Sequence, residues 1–479
     1  MDILADPVPV LQKYLQIDTT DSQNDDKACQ FWESIFSQYQ IKNRILKSGN
    51  YFNFETFTDS PNKEKILMQN HLDVVSANRE SWKYDPFGGI IDGYYLYGRG
   101  ALDMKSIGVM QAYAHARLAR ENHPGKNLLK FCSMVQEETT AEHGAKFYVE
   151  HLKRQNYENL IVLGEGGFGL RIPDIFNGIM FLYESEQKGL LWLSITVHSA
   201  GGHGSVGGNT KRNNPVIRAS KVAQKLSAYS FPIKIEDSVR IFIEKVSNQS
   251  NNRLLQIISF IPFIKKILFE TKIGARILNR IITDVTQIPG MMQTTLNVTN
   301  ISTDKVPGVK TPKEVHGTLI QRLLLPSLRK KMNPVTSMGV NVIPTYATIT
   351  CDIRFNSIYD RNSLIEKITT LIPEDADLRV LNFQEFSSSS YKLIHNSVEA
   401  ELRKVYKQEA FVSPILFIAS SDNCFFRKHG FSAFGLSPII VTLQDLERIH
   451  GDDERVNIHA FRKGCEDYYF IVKRMIESL

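Results

Sequence analysis

The chain has few of the features that mark secreted or membrane-spanning proteins. Its 479 residues include only five cysteines (Cys29, Cys132, Cys351, Cys424 and Cys465), an odd number without a C-x-x-C pair. That usage argues against a disulfide framework and for reduced, structural thiols in a reducing, cytoplasmic compartment. The opening residues Met1-Asp2-Ile3-Leu4-Ala5-Asp6-Pro7 have neither a basic start nor a continuous apolar core, so no secretory signal is expected there. The uncharged stretch 189–210 ends in Ser-Ala-Gly-Gly-His-Gly-Ser-Val-Gly-Gly-Asn-Thr, which cannot form an apolar helix across a bilayer. Acidic residues are scarce in one segment only. Between Arg253 and Lys331 there are 13 Lys/Arg against 4 Asp/Glu, so this segment exceeds the formal net charge of +6 and leaves the remainder near −3. A basic character confined to one segment excludes a general nucleic-acid surface.

What is present is ordinary for a soluble enzyme: 42% hydrophobic and 23% charged residues, with 18 prolines. The length calls for two domains, or three. The first half alternates strand-like and helix-like runs. Ile66-Leu67-Met68 leads to His71, and 128–135 leads to Glu137-Glu138. The run 159–163 leads to Glu165, while helices are expected over 104–121 and 143–153. This order predicts an α/β fold, a mostly parallel sheet with helices on both faces. In such sheets ligands bind beyond the carboxyl ends of the strands. From about Gly189 the strands at 192–197, 292–298 and 346–354 alternate as half-solvated antiparallel strands do. The serines 387–390 read as a short linker, after which a helix (395–408), a strand (414–419) and a final helix (458–479) resume the first pattern. The expected organisation is a catalytic domain in two parts, 1–188 and 389–479, carrying an inserted α+β lid or dimerisation domain at 189–388.

Within the insert, 253–282 reads as a pair of amphipathic helices interrupted at Pro262 or Gly274. Ile273, Ile277 and Ile281 form an apolar row beside a basic stripe of Lys272, Arg276 and Arg280. Packing on the insert or at a subunit interface is the main expectation. Contact with a membrane surface or an acyl chain is the lesser one. The segment 300–333 reads as a long connection with one helix near 319–325.

The adjacent acids Glu137-Glu138 carry the most chemistry, because one carboxylate can bind a metal while its neighbour moves protons. Paired acids are usually solvated surface; the order of His71, Asp73, Asp103, Glu138, Glu165 and His450 around them is what makes the pattern specific. Two divalent metals need a shared carboxylate and about two further ligands each. Asp103 is the natural bridge, with Glu138 and Glu165 as terminal ligands and His450 closing the second site. His71 and Asp73, two apart on an extended segment, suit a ligand histidine held by a carboxylate behind it. Nitrogen and oxygen donors without thiolate favour two Zn²⁺ ions, with Mn²⁺ or Co²⁺ as alternatives. Glu137, left out of coordination, would be the general base acting on a water between the metals. One decoy is set aside: Gly164-Glu165-Gly166-Gly167-Phe168-Gly169 fits G-x-G-x-x-G, but Leu170-Arg171-Ile172-Pro173 does not start the helix that a dinucleotide site requires.

With these residues in place the chain resembles the zinc-dependent aminoacylase and carboxypeptidase family of co-catalytic metallopeptidases. The resemblance rests on His71-Leu72-Asp73-Val74-Val75, the run 98–105 (Gly-Arg-Gly-Ala-Leu-Asp-Met-Lys), Gln136-Glu137-Glu138, Gly164-Glu165-Gly166-Gly167, Gly201-Gly202-His203-Gly204-Ser205, Gly339-Val340-Asn341-Val342-Ile343-Pro344 and His450-Gly451. It is nearest to the carboxypeptidase S-like and N-acyl-amino-acid hydrolase branch. The resemblance implies that His71, Asp103 and Glu165 hold one zinc, and that Asp103, Glu138 and His450 hold the other. It further implies that His203 stabilises the tetrahedral oxyanion, from the partner subunit in dimeric members, and that Asn341 lies near the substrate. Members often carry an Arg that holds the substrate's α-carboxylate. Here Cys424 stands in its place, leaving Arg427 or Arg354 as substitutes or a substrate without that carboxylate. The expected activity is hydrolysis of an amide or peptide bond in a small peptide or N-acyl amino acid by a homodimer. The alternative is a non-catalytic metal-binding homologue or binding module.

Overall fold

Short apolar runs, buried on both faces, form the central strands and set the architecture. The computed structural model describes residues 2–59, 63–173, 176–199, 201–203, 205, 214–249, 262–286, 290–303 and 342–479. Eleven strands form one sheet: β1 (Asn43–Ser48), β2 (Tyr51–Thr56), β3 (Ile66–His71), β4 (Leu129–Met134), β5 (Ile161–Gly164), β6 (Gly169–Leu170), β7 (Ile179–Gln187), β8 (Ser387–Ser388), β9 (Ala410–Phe417), β10 (Ser432–Gly435) and β11 (Ile440–Val441). Their order is β1-β2-β4-β3-β5-β10-β7-β6-β11, with β8 and β9 also paired to β7. The centre, β4-β3-β5-β10, is parallel, and antiparallel pairings with β2 and β7 flank it.

On the central strands Ile66, Met68, Leu129, Phe131, Ile161 and Leu163 enter one buried cluster. Leu67, Cys132, Met134 and Val162 enter another. Neighbouring residues thus point to opposite faces, and each face needs a helical cover. The first is covered by α1 (Pro7–Leu15), α2 (Asp25–Gln38), α3 (Lys105–Arg120) and the C-terminal helix Ile458–Glu477, and the second by α4 (Ala145–Arg154). Local chemistry sets the helix starts. Asp6 accepts from the N–H of Val8 ahead of Pro7 in α1, and Asn457 caps the last helix through His459 and Ala460. Among the described residues, no helix is long and apolar enough to cross a membrane.

The chain divides into two compact units: Met1–Lys188 with Ile233–Met292 and Phe386–Leu479, and Gly189–Pro232 with Gln293–Glu385. The second is α+β. Its antiparallel sheet runs in the order Thr295–Ser302, Tyr346–Phe355, Gly189–His198, Asp377–Gln384, with helices Pro215–Ser227 and Arg361–Thr369.

Three features differ from the expectations. Residues 233–292, expected in the insert, pack with the first unit, because helix Asp237–Gln249 buries Val239, Phe242, Ile243 and Val246 in its main core. Ser387-Ser388 is not linker but a strand paired with Gln187 and Glu186 of β7. The basic helices run Pro262–Glu270 and Lys272–Thr286, broken at Thr271, whose hydroxyl donates to the Ile267 carbonyl and accepts from the Gly274 N–H. Leu268, Phe269, Ala275 and Leu278 form their buried face, while Ile273 and Ile277 are exposed beside Lys272 and Arg276. The helix expected near 319–325 lies outside the described residues.

Candidate metal centre

Seven residues expected to carry the chemistry come together within the first unit, most at the carboxyl ends of the parallel strands. His71 ends β3, Glu137-Glu138 follow β4, and Glu165 follows β5. Asp103 precedes α3, and His450 follows the short helix Leu443–Leu446. His71, Asp103 and Glu165 can offer ligand atoms within 4.8 Å of one another, and so can Asp103, Glu138 and His450. A third overlapping group is His71, Glu137 and Glu138.

Asp103 lies between the two imidazoles. Its Oδ1 is 3.1 Å from His71 Nε2, and its Oδ2 is 3.1 Å from His450 Nε2. Glu165 Oε2 lies 3.7 Å from His71 Nε2, and Glu138 Oε1 lies 3.1 Å from His450 Nε2. His71 Nδ1 is 2.9 Å from the Asp73 backbone carbonyl. A carbonyl can only accept, so Nδ1 carries a proton and Nε2 is the nitrogen turned to the acids. Here the detail differs from the expectation. The Asp73 carboxylate is 3.8 Å from Nδ1, and it accepts instead from the backbone N–H groups of Glu137 (3.3 Å) and Glu138 (3.1 Å). Asp73 therefore holds the histidine with its main chain and the acidic pair with its side chain.

The Glu165 turn is fixed by close approach. A β-carbon on Gly435 would lie 2.0 Å from the Glu165 carbonyl oxygen. Asn423 donates to that carbonyl (3.1 Å) while its Oδ1 accepts from Gln69. Gly166 and Gly167 both take positive φ, and strand β6 follows them, not a helix.

Crowded carboxylates perturb one another. Burial, then the charge of Glu165, pushes the Glu137 carboxyl well above its usual range. Burial and Asp103 raise Glu165 to about 8. His450 is raised to about 10 by its hydrogen bonds with Asp103 and Glu138. Burial alone would lower His71, yet Asp103 and Glu165 raise it well above its usual value. Asp103 is held well below the carboxylate range, its two imidazole partners outweighing its burial. The arrangement is a concentrated negative site suited to cations.

One residue of this neighbourhood escaped the sequence reading. Asp422 is buried, and neither carboxylate oxygen has a hydrogen-bond partner among the described residues. Burial, reinforced by Asp73 and Glu138 against the pull of His71, raises it to about 7. Its only sequence signal is the acid in Ser420-Ser421-Asp422-Asn423-Cys424, two residues before the buried Cys424.

The remaining expected residues fall elsewhere. Arg427, expected as a partner for a substrate carboxylate, is turned inward. It donates to Glu184 at 2.5 Å, to the Ala433 carbonyl through Nε and Nη2, and to Ser389. A buried carboxylate at Glu184 needs that guanidinium, and this is why Arg427 is withdrawn from solvent. Arg354, in the second unit, pairs with Asp352 at 2.9 Å. His203, also there, lies in the short strand Gly202–His203 paired with Val342–Ile343. Its Nδ1 accepts from the Ser205 N–H at 3.2 Å and is 2.7 Å from the Ser205 hydroxyl. Asn341 lies outside the described residues.

Residues 67–474 match the model of peptidase family M20/M25/M40. The chain is 24% identical over 450 residues to the N-fatty-acyl-amino acid synthase/hydrolase PM20D1 of Xenopus tropicalis, covering 92% of this chain and 78% of that protein. It is 33% identical to aminoacylase-1 of Sus scrofa over 148 residues, which is 30% of this chain and 34% of the other. In fold it is similar to the M20 family metallo-carboxypeptidase Sso-CP2 from Sulfolobus solfataricus, with a TM-score of 0.68, 15% identity and both chains covered completely.

Proposed function

The chain belongs to peptidase family M20/M25/M40 and is a metallohydrolase of peptide or N-acyl-amino-acid amides, and from that premise we propose that its acidic cluster holds two divalent cations. The observation that carries this reading is the position of Asp103, with each oxygen 3.1 Å from a different imidazole Nε2. The donor set fits such a pair: one carboxylate for both cations, with His71 and Glu165 for one and Glu138 and His450 for the other. All donors are nitrogen or oxygen, which favours Zn²⁺ over softer-ligand metals, with Mn²⁺ or Co²⁺ as alternatives. When bound, such cations supply charge stabilisation and an acidified water.

The residues do the rest. Glu137 completes neither of these three-ligand sets, and burial raises its carboxyl above the usual carboxylate range, which suits a group that takes a proton and returns it. It removes a proton from the attacking water and delivers it to the departing amine. Asp73 fixes both His71 and the Glu137-Glu138 turn. His203 donates to the oxyanion of the tetrahedral species. Its Nδ1 accepts from the Ser205 N–H, which places the ring proton on Nε2, the nitrogen this role requires. A second copy of the chain, joined through the second unit, supplies this histidine. Asn341 and Arg354 contact the substrate, and Arg427 leaves the substrate-binding set. A reducing, cytoplasmic setting completes the reading and rests on cysteine usage.

Metal analysis with a substrate panel tests it. Dipeptides, acetylated and long-chain acylated amino acids, each with and without a free carboxylate, are offered to the metal-loaded full chain. Hydrolysis of at least one class with two cations per chain is expected. A preparation that binds no divalent cation and hydrolyses none after reconstitution overturns it.

A further inference from the structure

One buried ion pair ties together two loops that carry ligands, and the reading of a two-cation site does not use it. Glu454 is fully buried and accepts four hydrogen bonds. Its Oε1 takes the backbone N–H groups of Leu102 (2.8 Å) and Asp103 (3.1 Å). Its Oε2 takes the N–H of Gly100 (3.0 Å) and Nη1 of Arg99 (2.8 Å). The Arg99 side chain, 2% exposed, extends its other arm to the carbonyls of His450 (3.3 Å) and Gly451 (3.0 Å). Its guanidinium lies over the Trp82 ring, 5.1 Å from the centroid. Around the pair the backbones are also joined: the Gly98 N–H donates to the Glu454 carbonyl, and Arg455–Asn457 pairs with Tyr95–Tyr97.

We propose that Arg99 and Glu454 are positioning residues that hold the bridging Asp103 in register with His450, and so set the affinity of the cation position formed by Asp103, Glu138 and His450. The inference rests on the two-cation reading above. Its physical basis is that the carboxylate is fixed to the Asp103 backbone while the planar fork reaches the carbonyl of His450, 351 residues away in sequence. The other cation position shares Asp103 but draws His71 and Glu165 from the ends of β3 and β5, outside the clamp, so one of its three ligands is clamped against two of the three in the position with His450. The two positions should therefore respond unequally.

Glu454→Gln tests this with little change of shape. One oxygen becomes an NH₂ group, which opposes either the Leu102 and Asp103 N–H groups or that of Gly100 and the Arg99 fork, so the loop must shift. Arg99→Lys is the milder second variant, which keeps a charge beside Glu454 but loses the second arm. The readout is titration of the metal-free full chain with Zn²⁺ against a competing chelator, and with Co²⁺ by visible absorption. The parent chain should bind two equivalents. Both variants should bind the first as the parent does and the second roughly 10–100-fold more weakly, a typical effect of losing an outer hydrogen-bond partner. His450→Ala should lose the second equivalent outright, and Glu454→Gln added to it should change little more.

If both variants lower thermal stability while binding two equivalents at parental affinity, the pair is merely structural and the proposal is overturned. Equal weakening of both equivalents also overturns it. If Glu454→Gln does not fold, Arg99→Lys alone decides between these outcomes. A parent chain that binds fewer than two equivalents, or a His450→Ala chain that still binds two, refutes the underlying two-cation reading instead.

Discussion

Replacing Glu137 by Gln separates proton transfer from metal binding. The two three-ligand sets are complete without Glu137, so the variant should keep both cations. It loses a general base and acid, a contribution of roughly 10²–10⁴ in rate, or about 3–5 kcal/mol of transition-state stabilisation. Stability should move the other way. Burial and the charges of Glu165, Asp422 and Glu138 raise the Glu137 carboxyl well above its ordinary value. An acid whose folded pKa is raised costs stability as pH climbs above its unfolded pKa, and a neutral amide removes that cost. The metal-free Glu137→Gln chain should thus melt no lower than the parent at pH 7. The assay pairs kcat and metal content of the loaded protein with thermal melts of the metal-free one. Glu138→Gln is the contrast, because it should lose one equivalent of metal. A Glu137→Gln chain that loses an equivalent, or that turns over within tenfold of the parent, refutes the division of labour between the two acids.

Three further outcomes are expected. Cation binding should release protons, because His450 (about 10) and Glu165 (about 8) hold them at pH 7 in the metal-free chain. Affinity should therefore rise with pH over that window, and titration heats should depend on the ionisation enthalpy of the buffer; buffer-independent heats would count against it. The same raised His450 pKa gives the metal-free chain stability that is present in full below about 6.5 and lost as pH passes about 10, a loss absent in His450→Ala. Arg427→Ala should destabilise by about 3–5 kcal/mol, because it leaves Glu184 buried and unpaired; a raised KM with an unchanged denaturation midpoint would restore Arg427 as a substrate ligand. His203→Ala should lower kcat by roughly 10²–10³ without changing metal content, and an unchanged kcat would remove it from the site.

Much of the site was legible because His71, Glu137-Glu138 and Glu165 each follow a short apolar run that reads as a central strand. Leu67 and Met68 ahead of His71, or Val162 and Leu163 ahead of Glu165, announce both the strand and the rim at which it ends. Glu454 was not legible. In Asp452-Asp453-Glu454-Arg455 it reads as one of a solvated charge run, and only the chain's return against 98–103 buries it. Asp422 was hidden for the related reason that a buried, unpartnered acid looks like any loop acid until its surroundings are known. The segment 233–292 was assigned to the wrong unit because an amphipathic helix shows which of its faces is apolar but not which core that face will join. Ser387-Ser388 lacks any β-branched or aromatic residue, and backbone pairing to β7 makes it a strand all the same.

The proposed ligands run from His71 to His450, across most of the sequence, so the last of them is made long after the first. A nascent chain can expose β3, β4 and β5 with a half-built nest of acids long before His450 arrives. Loading of both proposed positions would therefore report that the loop carrying His450 has closed against Asp103 and Glu138. A chain cut before His450 would keep the acids that follow β3, β4 and β5 but lack one of the three ligands proposed for the second position.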